Sequence, residues 1–349
     1  MPIIKTLSKA TKAERDKFRI PRSVQDAIPI RRIWSDGIFQ VGTQFSKTFS
    51  FTDINYQIAG KEDKTAMFLD YSELLNALDS GASAKITINN RRLNKAEFEA
   101  ALLLPMRQDG LDHFRKEYND MLLSKVTGTS NSVVQERYIT ISVVKKNIAE
   151  ARAYFSRVGT DLITHLAQLS SIGQDLDLVT RLRIFRDFFK GAEPPAFEFD
   201  LKTQVKLGHS FKDWLCPDSM EFQPDHFKLN DRWGRVLYLQ GYASYIKDSM
   251  VSELCELDRD LMLSIDILPV PTDEAVREVQ NKLLGVETNA ANWQRRQNAA
   301  NNFTAMLPYD IEQQRAETKE MLGDLTNRDQ RMMFGLVTMV HLADTKEQL

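Results

Sequence analysis

One strand-and-helix unit near the middle of the chain most constrains its fold. Residues 137–144 are rich in β-branched and aromatic side chains, which is typical of a buried strand. After Asn147, a suitable helix N-cap, apolar residues recur every three or four positions and define one helical face. These apolar residues are Ile148, Ala151, Phe155, Val158, Leu162, Leu166 and Leu169. A helix with such a face must be buried against another layer, so the unit predicts helices packed on a sheet.

The same alternation of strand and helix runs along the whole chain and occurs twice. The predicted strands lie at 33–41, 45–56, 83–89, 137–144, 233–246, 261–270 and 332–342. The predicted helices lie at 61–80, 94–104, 110–126, 148–169, 178–189, 250–257, 272–303 (in two pieces) and 308–325. The order strand, helix, strand, helices, strand recurs, although no residue-level identity accompanies it. We therefore predict an α+β protein made of two ferredoxin-like strand-and-helix repeats.

The end of the chain resembles the beginning of another helix. Asp344 or Thr345, followed by Glu347, is typical of a helix N-terminus, and it comes directly after the last predicted strand. In the first half, the equivalent strand is followed by the long helix after Asn147. We therefore expect the second repeat to be incomplete at its C-terminal end and the natural protein to continue.

Composition divides the chain into four parts. Residues 1–32 form a basic N-terminal arm, and 33–192 form a first α+β subdomain. A loop-rich linker at 193–230 begins with a proline-containing stretch, and 231–349 form the second subdomain.

The arm carries nine Lys and Arg residues against three acids, whereas the whole chain has a net charge of −2. A basic arm on an acidic body can contact anionic lipid, nucleic acid, or an acidic surface of its own chain or a neighbour. Docking on its own or a neighbouring chain is the first alternative, lipid or membrane-partner contact is the second, and direct nucleic-acid contact is the third and least favoured. The residues expected to contact a partner or lipid are Lys5, Lys9, Lys12, Arg15, Lys17, Arg19 and Arg22.

The sequence contains no recognisable nucleotide-binding or catalytic motif. Neither G-x-x-x-x-G-K-[ST] nor G-x-G-x-x-G occurs, and the nucleophile motif G-x-S-x-G is also missing. His209, Cys216 and His226 share one segment, and Cys255 could add a fourth zinc ligand, but their spacing matches no compact metal knuckle. We predict no catalytic residue, no metal site and no cofactor for this chain.

The tryptophans and tyrosines of the second half are candidates for stacking sites. Trp214, Trp233 and Trp293 are expected to lie in the core. Tyr242 and Tyr245 are three residues apart in a predicted strand, so they face opposite sides and cannot form one base-stacking platform.

Apolar runs and cysteine usage indicate a cytosolic protein. No stretch reaches the roughly 18 uncharged apolar residues of a membrane-spanning helix. The N-terminus lacks the apolar core of a secretion signal. Two cysteines are too few for a disulfide framework, which fits a reducing compartment.

Residues 20–56 resemble the opening of the VirB/TrbE-type conjugal transfer ATPases of Gram-positive mobile elements. The matching residues are Pro21, Gln25 and Pro29, then Asp36, Gly37, Ile38 and Phe39, and then Lys47, Phe51, Asp53, Ile54, Asn55 and Tyr56. The likeness continues at Leu74–Asp79, Glu136–Val143 and Asp231–Tyr242 and in the final strand, so it covers nearly the whole chain.

The resemblance implies the N-terminal assembly part of a type IV secretion energiser. Such a part would lie in the cytoplasm at the inner face of the membrane and dock on channel membrane proteins and neighbouring subunits. The RecA-like ATPase domain, with its ATP and Mg²⁺, would follow this region and is absent from the chain. The resemblance also implies a homo-oligomer for the full-length relative, and no catalytic residue carries over.

Two alternatives remain open. The first is a stand-alone α+β scaffold or regulatory protein without a motor domain. The second is an unrecognised enzyme whose site is spread over the loops at 193–230, which would require His209, His226 and acidic residues to converge.

Overall fold

A computed structural model describes most of the chain. The described residues are 21–54, 56, 58–92, 103–128, 133–191, 199–242, 249–257, 259–303, 306–328 and 330–349. Several predictions fall outside these residues: the arm side chains Lys5, Lys9, Lys12, Arg15, Lys17 and Arg19, most of the helix at 94–104, and Tyr245.

Helices and strands alternate along the chain, and the fold is α+β as predicted. The helices of the described part are α1 (Val24–Ala27), α2 (Lys61–Asn76), α3 (Asp112–Gly128), α4 (Ile148–Gln168), α5 (Leu178–Lys190), α6 (Leu201–Leu207), α7 (Phe211–Leu215), α8 (Ser249–Cys255), α9 (Thr272–Ala299) and α10 (Tyr309–Asn327). The strands are β1 (Ile30–Ile33), β2 (Phe39–Val41), β3 (Gln44–Phe51), β4 (Ala82–Arg92), β5 (Val133–Val144), β6 (Gly173–Asp175), β7 (Met220–Phe222), β8 (Phe227–Leu229), β9 (Arg232–Tyr238), β10 (Asp260–Pro269) and β11 (Met333–Ala343). A 3₁₀ turn at Lys346–Gln348 follows β11.

The strands form a large, mainly antiparallel sheet. Its order is β1-β2-β3-β5-β4-β10-β11-β9-β8-β7, and β6 pairs with β3. The pairs with a defined register are all antiparallel. At the centre of the order, β4 pairs with β10, and Ile86 lies opposite Ile265. The first five strands of the order therefore come from the first half of the chain and the last five from the second.

The strand-and-helix unit predicted around Asn147 is present. The Asn147 side chain accepts a hydrogen bond from the backbone N–H of Glu150 at 2.9 Å and caps α4. The buried face of α4 includes Phe155, Leu162 and Leu166. A Cβ on Gly159 would lie 3.0 Å from the ring of Phe49 in β3, so this helix packs closely on the sheet.

Several predicted elements have different bounds. The prediction of one continuous strand at 33–41 is wrong. This segment forms a hairpin of β1 and β2 whose turn contains Gly37 at a φ of +75°. The strand predicted at 45–56 ends at Phe51, and the one predicted at 233–246 ends at Tyr238. The two helical pieces predicted at 272–303 are one continuous helix, α9, because nothing in its interior breaks the hydrogen-bond ladder.

The segment predicted as a loop-rich linker holds four short elements, α6, α7, β7 and β8. Ser210 and Asp213 form a capping box at the start of α7. Trp214 and Leu215 of this helix are buried. Short helices and a hairpin thus follow one another where the sequence shows only mixed composition.

The described residues divide into two compact units. The smaller unit contains Leu75–Ser83 and Leu268–Phe334, where Val270, Val279 and Leu325 form the centre of an apolar cluster of α9 and α10. The larger unit contains the remaining described residues. The boundaries predicted after residues 32, 192 and 230 stay predictions.

The larger unit has an apolar cluster built on α5 and α7. Its buried members are Ile28, Ile30, Phe39, Leu178, Leu182, Phe199, Trp214, Leu215 and Cys216. None of the helices in the described ranges has the length and apolarity that a membrane crossing requires.

Candidate functional site

The predicted contact residues of the basic arm are only partly described. Arg22 lies just before α1 and is exposed. Arg31 and Arg32 on β1 are exposed as well. Three arginines of the predicted arm thus face solvent in the larger unit.

The possible zinc ligands are not brought together. His209 is exposed after α6, whereas the Nδ1 of His226 lies 2.7 Å from a carboxylate oxygen of its neighbour Asp225. Cys216 and Cys255 are both buried. Across the described ranges, no group of three or more His, Cys, Asp or Glu side chains could hold a metal ion. The convergent cluster that the enzyme alternative requires is not seen there.

Both thiols lie in apolar surroundings that disfavour the thiolate. Burial raises the pKa of Cys216, and it raises the pKa of Cys255 to about 11. A nucleophilic cysteine needs a lowered pKa and access to solvent. These two residues therefore have the character of structural cysteines.

The three tryptophans differ in burial. Trp214 is buried against Phe199, with ring centroids 5.4 Å apart, as predicted for a core residue. Trp233 and Trp293 are half-buried. His226 packs against the Trp233 ring, and Lys228 and Lys346 lie over it. Trp233 is therefore covered by polar side chains rather than enclosed in a core.

An apolar strand pair is exposed at one end of β9 and β11. We call residues 236–239 and 336–340 the open strand pair. Val236 lies opposite Val340, and Tyr238 lies opposite Thr338. Val236, Tyr238 and Leu336 share one face because opposite residues, and alternate residues of a strand, point to the same side. Tyr238 is 64% exposed and Leu336 is 42% exposed.

The other face of the open strand pair also carries apolar side chains. Leu237 lies opposite Met339, and Leu237 is exposed. The hydroxyl of Tyr242 donates to the carbonyl of Gly335 and accepts from the N–H of Val337, both at 3.1 Å. These bonds fix the start of β11 while its apolar side chains remain accessible.

A second feature of the larger unit is an apolar cavity of about 400 Å³, which we call the aromatic cavity. It is lined by Ala27, Ile28, Pro29, Ile30, Phe39, Val41, Ser46, Arg181, Phe185, Phe188, Phe189, Met220, Phe222, Phe227, Leu229 and Val236. Phenylalanine rings form much of its wall. The lining comes from α5, from both outer hairpins, β1/β2 and β7/β8, and from single residues of α1, β3 and β9.

One charged side chain lines the aromatic cavity. Arg181 is only 3% exposed, and its guanidinium donates to the carbonyls of Gly37 and Ser46 at 2.8 and 2.6 Å and to the Ser46 hydroxyl at 2.8 Å. The guanidinium carbon lies 4.1 Å from the centroid of the Phe39 ring. The Nε of Arg181 is buried and has no acceptor among the described residues.

The charge of Arg181 is poorly compensated. Every acceptor found for it in the described part of the chain is a neutral oxygen. Burial lowers the pKa of Arg181 to about 9, so the guanidinium stays protonated at neutral pH. A buried, unpaired cation raises the free energy of the folded state, and an anion in the cavity would offset that cost.

The sequence motifs do not indicate this site, but one feature of α5 does. The apolar face of α5 contains Leu178, Leu182 and Phe185, and Arg181 falls on the same face by helical spacing. An arginine inside an apolar helical face is unusual, because arginine is almost never fully buried without a partner. That anomaly points to Arg181, but it does not indicate which distant residues surround it.

No protein-family profile matches the chain, and no curated protein sequence is significantly similar to it. The resemblance to conjugal transfer ATPases therefore rests on the matching residues of this sequence.

Proposed function

We propose that this chain is the N-terminal assembly part of a type IV secretion conjugal transfer ATPase. It would dock the motor on membrane channel components during conjugative DNA transfer. The chain itself would bind no nucleotide, and the ATPase chemistry would belong to a RecA-like domain. The observation that carries the proposal is the open strand pair, an apolar surface suited to binding another protein.

The matching residues support this proposal as elements of a scaffold. Asp36 pairs with Arg152 of α4 at 2.6 Å, and Gly37 forms the turn of the first hairpin. Lys47 pairs with Asp175 at 2.9 Å. These contacts connect separate elements of the larger unit. A role in stabilising the fold would therefore explain why these matching residues occur at these positions.

We also propose that the two halves arose by duplication. The strand order supports it, because each half begins with an outer hairpin that leads to its third strand. In the first half the order from the edge inwards is β1-β2-β3-β5-β4, and in the second it is β7-β8-β9-β11-β10. The antiparallel pairing of β4 with β10 is the pairing that a two-fold relation between the halves would produce.

The open strand pair supports docking for a physical reason. Large exposed apolar patches are rare on monomeric proteins and commonly mark sites of protein interaction. Tyrosine is enriched among the residues that dominate binding energy, and Tyr238, the aromatic residue of this surface, is exposed. Membrane channel proteins and neighbouring subunits are the partners that we propose for it.

The exposed arginines fit a position beside the membrane. Arg22, Arg31 and Arg32 lie in the larger unit, and basic residues near an anionic surface each contribute about 1 kcal/mol of attraction. We propose that the chain works in the cytoplasm at the inner face of the cell membrane. The exposed arginines would orient the chain at the membrane surface. The open strand pair would provide the specific contacts with the partner protein.

The docking proposal is tested by placing charges on the open strand pair. The double variant Tyr238→Lys and Leu336→Lys would bury two cations in the interface. We expect it to weaken binding to the channel membrane component by about 30-fold, the effect of losing one dominant interface residue. Donor cells carrying the variant should transfer DNA at a correspondingly reduced frequency, measured by mating assays beside co-purification of the channel component.

The matched control is Leu284→Lys, which changes an exposed leucine of α9 in the smaller unit. It should leave both co-purification and transfer at the parental level. Circular dichroism and thermal melting would establish that all variants are folded. Parental transfer by the double variant, or unchanged transfer by donors that lack the chain, would contradict the proposal.

A stand-alone scaffold protein without a motor domain is the second candidate. Such a protein could also use the open strand pair to bind a partner. The in-frame coding sequence after codon 349 distinguishes the two. A G-x-x-x-x-G-K-[ST] motif within roughly 150 codons supports the motor, and an immediate stop codon supports the scaffold. In both cases, saturable ATP binding by residues 1–349 would contradict the proposed absence of a nucleotide site.

A further inference from the structure

The geometry of the aromatic cavity points to a ligand site whose lining includes Val236 of the open strand pair but neither Tyr238 nor Leu336. We propose that it binds a small amphiphilic anion, an elongated apolar body that ends in a carboxylate, with the carboxylate at Arg181. A medium-chain fatty carboxylate is the simplest ligand of this class. The proposal depends on two independent observations, the apolar wall and the uncompensated buried cation.

The first observation is the composition and size of the cavity. Its volume of about 400 Å³ lies within the range of small-molecule sites, roughly 300–1,000 Å³. The rings of Phe185, Phe188 and Phe189 form one wall along α5, and Phe222 and Phe227 of the second outer hairpin contribute another. Such walls favour an apolar ligand body, because its burial removes hydrocarbon surface from water.

The second observation is the position of Arg181. Its side chain is 3% exposed and lines the cavity, and its buried Nε has no acceptor within the described part of the chain. Arginine binds carboxylates through charge-assisted hydrogen bonds, which are about twice as strong as bonds between neutral groups. Ser46 is the second polar side chain of the lining, and it already accepts from Arg181. One cation with one hydroxyl suits a headgroup with a single negative charge.

The cavity is open to solvent, so a ligand could enter. Val41, Phe222 and Val236 line the cavity and are themselves exposed, which places its mouth between β2 and the second outer hairpin. A ligand that entered here would have its carboxylate held at Arg181, which is 3% exposed. A neutral ligand would leave the cation uncompensated, and a cationic ligand would be repelled by it.

Binding of octanoate to the full chain tests the proposal. Isothermal titration calorimetry would compare octanoate with 1-octanol and octylammonium, which share its chain length but differ in headgroup. We expect octanoate to bind about tenfold more tightly than 1-octanol, because only the carboxylate forms charge-assisted bonds with Arg181. Octylammonium should bind more weakly than 1-octanol.

Two variants assign the binding to the cavity. Arg181→Gln removes the charge and keeps a shorter, polar side chain, so it should abolish the preference for octanoate over 1-octanol. Ala27→Trp fills the cavity while Arg181 remains in place, and it should abolish the binding of both. The second variant keeps the test decisive if the first one fails to fold.

Equal affinity for octanoate and 1-octanol would overturn the proposal, and so would the absence of octanoate binding. Octanoate binding that is unaffected by Ala27→Trp would place the ligand elsewhere and would overturn it too. Tyr238 and Leu336 do not line the cavity, so the docking variants should bind octanoate normally. Failure of the docking proposal and failure of this one are therefore distinguishable.

Discussion

Gly37 holds the turn of the first hairpin in a conformation that glycine tolerates and other residues do not. Its φ is +75°, and its N–H donates to the carbonyl of Trp34 at 3.0 Å. A Cβ at this position would overlap the backbone carbonyl oxygen of Leu176. Because that oxygen belongs to the backbone, no side-chain rotation can relieve the overlap.

Replacing Gly37 with alanine should therefore be costly. We expect Gly37→Ala to lower the free energy of unfolding by about 3 kcal/mol, from the strained φ together with the overlap. Gly42→Ala is the matched control, since Gly42 has a φ of +59° and open space around its Cα. It should cost only about 1 kcal/mol. Urea denaturation of the two variants would check this, and equal losses would contradict the steric argument.

Arg181 shows how a single residue defines a site that local sequence does not reveal. Its guanidinium satisfies two carbonyls and a hydroxyl of the first hairpin region and β3. The same contacts hold it beside the apolar rings of α5. One side chain thus links the hairpin to the helix and supplies the positive charge of the aromatic cavity.

At the scale of elements, the start of α4 is defined by the side chain of Asn147. Asn147 accepts from the N–H of Glu150 and donates to the Glu150 carboxylate, both at 2.9 Å. The cap satisfies one backbone N–H that the first helical turn leaves without an intrahelical partner. The cap and the apolar face of α4 were both predictable because they depend on residues close together in the chain.

Removal of this cap gives a prediction for the element. We expect Asn147→Ala to destabilise the protein by about 1 kcal/mol. Asn147→Ser keeps an N-capping oxygen and should stay within about 0.5 kcal/mol of the parent. The midpoints of urea unfolding would measure both variants. A loss as large for serine as for alanine would mean that the capping oxygen contributes nothing.

The first hairpin shows where local signals mislead. Apolar residues on both sides of Asp36 and Gly37 predicted one strand, whereas the chain reverses there into β1 and β2. The turn is stabilised by backbone bonds between Trp34 and Gly37 and between Trp34 and Ile38. Its position beside Leu176 depends on a segment far along the chain, so alternation of residue types could not reveal it.

For the whole molecule, Asn90 connects the two halves of the sheet. It lies on β4 opposite Leu261 of β10, and its side chain is buried. The amide donates to the carbonyl of Cys255 in α8 and accepts from Gln135 of β5 at 3.1 Å. A single side chain therefore joins elements of the first half with elements of the second.

Loss of this amide should destabilise the larger unit as a whole. Asn90→Ala removes the hydrogen bonds of this side chain to the Cys255 carbonyl and the Gln135 amide, and these two groups keep the 3.3 Å bond between them. Each lost buried hydrogen bond lowers the stability. We expect a loss of about 2 kcal/mol in the free energy of unfolding. Lys85→Ala on the same strand removes only a partly exposed ion pair with Asp266 and should cost less than about 1 kcal/mol. Thermal and urea unfolding would compare them, and equal effects would argue against a role for Asn90 in joining the halves.

The sequence by itself determined the local parts of this protein: the α+β class, the unit of β5 and α4 with its cap, and most strand and helix positions. These depend on the spacing of apolar residues and on caps within a few positions. Only the tertiary structure decided the strand order, the open strand pair and the aromatic cavity, whose lining runs from Ala27 to Val236. The spacing of apolar residues along the sequence specifies which face of a helix or strand is buried. The elements that pack against that face are decided by contacts between residues far apart in the chain.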